Sequence, residues 1–332
     1  MKMAGKRQDT KEQFIKRNHL ETIFEKASAV DPELWNSLQK IREHYSEYSK
    51  HCESIAQQTV LEILGDKKAD SIHSVRMRIK DIDSLLSKII KKKAYLSKEI
   101  QEDYDIEKYR PLDEKNYYKI ITDISGIRIL IRYREQWEHV HDWLWGKYYR
   151  GEEYYLKDYV ADYKSNAGKS FIVEKPKVYY RNDRDRILYE QIGKDVFDFR
   201  KSDEGYNSIH YLVNVDGKYI EVQMRTILDE AWSECTHDIV YKSTNKAQIA
   251  ELEYLSQCLS QQTIAAETIT NLIYEKVNKN GTIFGKKTNV QKKDIKNIHE
   301  PKVIRNSVET RMHLLEEYSL MESFDGDIDS II

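Results

Sequence analysis

Between Tyr219 and Thr226 the chain reads Tyr-Ile-Glu-Val-Gln-Met-Arg-Thr, two alternating sets of side chains as on a half-buried strand. Glu221, Gln223 and Arg225 therefore share one face. An acid and a base on one face of a rigid strand, where it feeds the helical pattern from Ile227 to Lys242, suit a nucleotide and its metal better than a core. A second acid, Asp123, stands at the mouth of the short apolar run through Gly126 and Arg128. Together Asp123 and Glu221 could hold one divalent ion.

Three further groups bear on chemistry. Arg78 and Lys80 leave a period-two segment on one face, while Ser84 and Lys88 stand four apart on the helical pattern that follows, so all four can converge on one polyphosphate. Taken alone, that set also fits a solvated basic face. Gly205-Tyr206-Asn207-Ser208-Ile-His210 is a glycine turn presenting an aromatic just before a strand, and Tyr206 could stack on a base. In a chain with 24 tyrosines, plain packing is the competing reading. The pattern from Ala231 to Lys242 carries Trp232, which reads as core, and His237, which stays ambiguous.

The elements that must position these residues follow from periodicity. Asp31-Pro32-Glu33 reads as a helix start, with Asp31 as N-cap and Pro32 at the first helical position. Leu34, Leu38, Ile41, Tyr45, Tyr48, Ile55, Thr59 and Leu61 to Leu64 then recur at helical spacing up to Gly65. Residues 71–80 switch to period two, and the helical period returns from Asp81. Further expectations are a helix over 113–121, a strand over 126–132 and a helix from Glu135 to Trp145. The tyrosine- and charge-rich segment 146–205 reads as loops around one strand near Val178 to Arg181. Two alternating runs around Asp216-Gly217 predict a hairpin. A long helix from about Lys246 to Asn278, a basic linker from Lys276 to Arg305, a short helix over 304–317 and an acidic tail complete the pattern.

Charged residues make up 33% of the 332 residues but nearly cancel, to a net of -2, so whole-chain charge gives no case for a nucleic-acid coat. Local clusters such as Lys91 to Lys93 would have to supply it. Cys52, Cys235 and Cys258 are widely spaced and in no CxxC pattern, which disfavours both a disulfide framework and a zinc site. The first residues have no apolar core for a signal peptide, and no segment nears the ~18 uninterrupted apolar residues of a membrane span, so the expected location is the cytoplasm.

In combination and order these motifs resemble the synthetase domain of the RelA/SpoT family of alarmone pyrophosphokinases. Arg78-x-Lys80-x3-Ser84-x3-Lys88 is similar to the family's ATP-binding segment, and Asp123-Ile-Ser-Gly-Ile-Arg128 to its Asp-Ile-Ala-Gly-Ile-Arg motif. Gly205-Tyr206-x-Ser208-x-His210 resembles the acceptor loop, Glu221-Val-Gln223-Met-Arg225-Thr226 the Glu-x-Gln-x-Arg-Thr strand, and Trp232 to Lys242 the closing helix. Asn207 and Thr236 depart from the pattern, standing where many members carry Arg and Glu.

The resemblance implies an α/β fold: a nucleotidyltransferase-like, small mixed sheet of about five strands with flanking helices, between helical N- and C-terminal extensions. It divides the chain into 1–69, 70–245 and 246–332, with no room before Arg78 for the hydrolase domain of bifunctional members. The dipeptides His141-Asp142 and His237-Asp238 are read as coincidences.

The implied reaction moves the β,γ-diphosphate of ATP to a ribose 3'-hydroxyl of GDP or GTP, leaving AMP. By that likeness Asp123 and Glu221 are catalytic and bind Mg2+, with Glu221 also able to take the hydroxyl proton. Arg78, Lys80, Ser84, Lys88 and Arg128 bind ATP; Tyr206, Asn207, Ser208 and His210 meet the acceptor; Gln223, Arg225 and His237 support them. Three rivals stay open: a toxin-like relative modifying the 3' end of tRNA, a silent nucleotide-sensing module, and a nucleotidyltransferase that releases pyrophosphate. A homo-oligomer, or an antitoxin or other protein on the C-terminal extension, fits these readings as partner.

Overall fold

The computed structural model of the chain describes residues 10–279, except 67–69, 97–103, 153–154, 156–169, 192, 194, 203–204 and 243–245. The basic stretch beyond Lys279, the 304–317 helix and the acidic tail therefore lie outside the described residues.

Two short helices, α1 (Lys11–Arg17) and α2 (Glu21–Val30), precede the long α3 (Leu34–Gly65). The buried stripe of α3 runs Leu34, Leu38, Ile41, Tyr45, Tyr48, Cys52, Ala56, Thr59 and Ile63, in steps of three and four, which keeps one face of the helix inward for its whole length. Its start differs from expectation. Glu33 occupies the N-cap without a side-chain bond to the helix backbone, and the Asp31 carboxylate is taken by the buried ammonium of Lys93 at 2.6 Å. That pairing also removes Lys93 from any surface cluster. Leu61 and Leu64, read as inward, are exposed, and Ile63 alone turns in at that end.

Strand β1 (Ile72–Ile79) leads to α4 (Ile82–Tyr95), whose N-cap Asp81 accepts the amide of Ser84 at 3.0 Å. Single-turn helices α5 (Tyr104–Glu107) and α6 (Tyr117–Ile120) follow, the latter much shorter than the expected 113–121. Then come β2 (Ser125–Ile131), a 3-10 turn at Arg134–Gln136 and α7 (Trp137–Tyr148). The tyrosine-rich segment holds β3 (Phe171–Ile172), β4 (Lys177–Tyr180), α8 (Asp183–Glu190) and β5 (Asp198–Lys201). The chain closes with β6 (Ser208–Val215), β7 (Lys218–Thr226), α9 (Ile227–Lys242) and α10 (Lys246–Lys279).

Among the described residues the mixed sheet has seven strands, two more than expected, in the order β1-β2-β7-β6-β4-β5 with β3 also on β6. Only β2–β7 and β4–β5 are parallel. Asp216 (φ 48°) and Gly217 (φ 78°) both adopt left-handed backbone, the geometry that lets a two-residue turn follow the twist of β6 and β7.

Register sorts the sheet into two faces. Ile127, Ile129, Ile131, Ile209, Tyr211, Val213, Val222 and Met224 form an apolar face packed with Trp137, Val140 and Leu144 of α7. His141 belongs to this core: its Nδ1 is 2.9 Å from the Tyr211 hydroxyl, and burial pushes its pKa down to about 4. A second core joins α1–α4 with Tyr117, Ile120, Ile121 and Ile124. The N-terminal part of α3 lies in that second core, whereas Ile63 reaches the first. The opposite face of the sheet carries the polar residues.

Candidate active site

Paired positions align the polar face in rows. Arg78 lies opposite Gly126, which lies opposite Glu221; Arg76 faces Arg128, then Gln223, then His210. The alternation seen at 219–226 thus becomes a patch four strands wide. The Arg78 side chain lies across Gly126, where an added Cβ would be in van der Waals contact with it at 3.4 Å. Arg78, Gly126, Arg128 and Gln223 line a pocket of about 260 Å³ with Arg76, Met77, Ile127 and Glu234.

Asp123 sits at the start of β2, where Oδ2 accepts from Lys80 Nζ at 2.9 Å and Lys88 Nζ at 2.8 Å. Its Oδ1 is buried with no hydrogen-bond partner. Burial opposes ionisation, but Lys88 and then Lys80 outweigh it and hold the carboxyl at about 2. Glu221 is a carboxylate for a different reason. Against burial and the nearby charge of Asp123, His210 and Gln223 hold it at about 2.

On the other flank the side chains close a ring. His210 Nδ1 lies 3.3 Å from Glu221 Oε1, Gln223 Nε2 donates to Glu221 Oε2 at 2.7 Å, and Arg225 Nη2 donates to Gln223 Oε1 at 2.7 Å. The Arg225 guanidinium lies 5.1 Å from the centroid of Tyr206, whose hydroxyl is 2.9 Å from His210 Nε2. Tyr179 adds an aromatic wall, its ring 4.7 Å from His210 and 5.6 Å from Tyr206.

The sequence-expected residues thus divide into those gathered here and those placed elsewhere. Asp123, Lys80 and Lys88 form one bonded set and Glu221, Gln223, Arg225, His210 and Tyr206 a second, close enough for the charge of Asp123 to act on Glu221, while Arg78 and Arg128 line the adjoining pocket. Ser84 stands exposed on the first turn of α4. Asn207 and Ser208 turn away: Ser208 is buried with its hydroxyl on the Met224 carbonyl, and Asn207 is buried with its amide on Asp229 at 2.8 Å. His237 lies on α9, but its side chain is outside the described residues.

Sequence reasoning missed Tyr179 and two acids of α9. Arg128 Nη1 donates to Glu230 and Glu234, each at 2.6 Å, so the cation is held by two carboxylates one helical turn apart. That i, i+4 pair of acids was the available signal. Among the described residues no cluster of three or more His, Cys, Asp or Glu side chains could hold a metal ion.

The model of the region found in RelA / SpoT proteins matches residues 77–246, slightly more than half the chain and the span that builds this face. The chain belongs to the RelA/SpoT family. Among solved structures, small alarmone synthetase 1 from Bacillus subtilis bound to its product pppGpp is 18% identical, with 75% of this chain and 100% of that one covered at a TM-score of 0.38. A GTP pyrophosphokinase family protein from Streptococcus pneumoniae is 17% identical, with 82% and 97% covered at 0.39. No curated protein matches the sequence. The matched region begins near the end of β1 that carries Arg78, and it stops as α10 starts.

Proposed function

We propose that this RelA/SpoT-family chain transfers the β,γ-diphosphate of ATP to the 3'-hydroxyl of GDP or GTP, releasing AMP. The observation that carries the reading is the pair of carboxylates kept ionised on one polar face, Asp123 among lysines and Glu221 beside the Tyr206–His210 aromatic corner. Cations on one side suit a polyphosphate donor; aromatic faces on the other suit a base.

The residues fit Mg2+. Asp123 offers a buried, unpartnered oxygen and both acids are charged, and this ion is commonly held by one or two carboxylates with substrate phosphates completing its shell. When bound, it would neutralise charge on the transferring phosphates.

The chain's own residues do the rest. Lys80 and Lys88 hold the donor phosphates, and Arg78 and Arg128 flank the pocket for the remainder of ATP. The hydroxyl oxygen attacks the β-phosphorus, the bond from that phosphorus to the α,β-bridging oxygen breaks, AMP carries away the leaving electrons, and the hydroxyl proton passes to solvent as the new bond forms. Glu221 orients the hydroxyl. A carboxyl this acidic is a weak base, but a loose phosphoryl-transfer transition state demands little deprotonation before attack, so positioning and charge dominate.

Incubation of the protein with γ-labelled ATP and, in turn, GDP, GTP, ADP, ATP and tRNA tests the reading. Label on GDP or GTP with stoichiometric AMP supports it. Label on tRNA alone replaces the acceptor, and release of free pyrophosphate replaces the reaction class.

A further inference from the structure

Helix α10 lies almost entirely beyond the region matched to the family, yet it packs on the turn that presents Tyr206. Gly205 has φ +87°, and a Cβ there would lie 2.5 Å from Oγ of Ser260 on α10 and 3.4 Å from the Trp232 ring. Glycine meets both demands, the left-handed backbone and the missing volume. Trp232 is itself fixed to α10, its Nε1 donating to the Ser256 carbonyl at 3.0 Å.

One helical face further along, α10 contributes a buried carboxylate. Glu267, 2% exposed, accepts from the hydroxyl of Thr226 at the end of β7, from Arg181 at 2.7 Å and from Arg134. Thr226 Oγ1 also accepts the Asp229 amide at 3.0 Å, capping α9. Arg181 bonds Asp185 and Asp229 as well, and Asp229 takes the Asn207 amide. A continuous set of buried bonds therefore runs from α10 to Asn207, the neighbour of Tyr206. Removing one partner of such a buried charged set leaves the others uncompensated.

We infer that α10 is the positioning element for the acceptor side, with Glu267 and Ser260 fixing the Gly205–Asn207 turn and hence the ring of Tyr206. The donor lysines lie directly after β1 and on α4, which make no bond in this set, so the effect falls on one substrate. This rests on Tyr206 being the acceptor platform.

The test compares Glu267→Gln, which removes the charge, with Ser260→Leu, which drives bulk onto Gly205. Leu259→Gln, on the exposed side of α10, is the control. Both test variants should raise the KM for GDP by about ten-fold or more, the scale of a small misplacement. Binding of a non-hydrolysable ATP analogue should stay within about two-fold in both, as befits a loss confined to one substrate. Amide hydrogen exchange from Tyr206 to His210 should quicken in both and stay unchanged in the control. Unchanged exchange and KM in both variants overturn the inference, as does ATP-analogue binding that falls in step with acceptor use. Tyr206→Ala run alongside separates the two claims. If it spares the acceptor KM while the α10 variants still quicken exchange, the acceptor reading fails and the placement by α10 stands.

Discussion

Nδ1 of His210 lies 3.3 Å from Oε1 of Glu221 on the neighbouring strand, while its Nε2 lies 2.9 Å from the hydroxyl of Tyr206. One imidazole therefore joins the Tyr206 ring to the carboxylate proposed to orient the incoming hydroxyl. His210→Ala should raise the acceptor KM and lower kcat by about ten-fold or more through lost orientation. ATP-analogue binding, measured without acceptor, should be retained. A variant with normal steady-state kinetics would remove the imidazole from the site.

Asp123→Asn and Glu221→Gln each delete a negative charge where the proposed reaction holds donor phosphates and Mg2+ together. Each should lower turnover by about 100-fold or more, the scale of preorganised electrostatic groups. Circular dichroism should be unchanged. Near wild-type rates at saturating Mg2+ in either variant would contradict the assignment.

Donor and acceptor defects should separate. Lys80→Ala and Lys88→Ala, which remove the cations on Asp123, should raise the ATP KM whatever the acceptor. Tyr206→Ala should instead weaken acceptor binding by roughly 1–3 kcal/mol, the value of base stacking, and spare ATP. Loss of ATP binding in Tyr206→Ala would break this division.

Both site carboxyls are held at about 2, below their ordinary values of 3.8 and 4.5. A folded-state value below the unfolded one means stability present in full above about pH 4.5 and lost as pH falls through about 2. The wild-type Tm should therefore fall more steeply over that window than the Tm of the Asp123→Asn, Glu221→Gln double variant. Equal slopes would show that neither carboxyl is depressed in the folded protein.

What was legible in the sequence had strict periodicity or stereochemistry behind it. The stripe of α3, the alternation of β7 and the Asp216-Gly217 turn each admit one regular conformation, and one family motif, Glu221 to Thr226, lies on β7. Less was legible where a residue's role depends on a distant partner. Arg134, Arg181, Asp185, Asp229 and Glu267 are scattered along the sequence with no shared spacing, and folding buries them together. Asn207 lies within the acceptor motif and is diverted to that set by Asp229. Tyr179 could not be told from the other tyrosines before β4 was paired with β6. The charge of segment 146–205 likewise masked β3 and β5, which are two and four residues long.

The central claim is that the polar face moves a diphosphate as one unit. Phosphorus NMR of a reaction containing ATP, GDP and Mg2+ reads this directly. The account predicts AMP and a 3'-diphosphorylated guanosine nucleotide rising in equal amounts, with no free pyrophosphate and with both signals absent in Glu221→Gln. Pyrophosphate released in step with ATP loss, or ADP as the donor product, would contradict it.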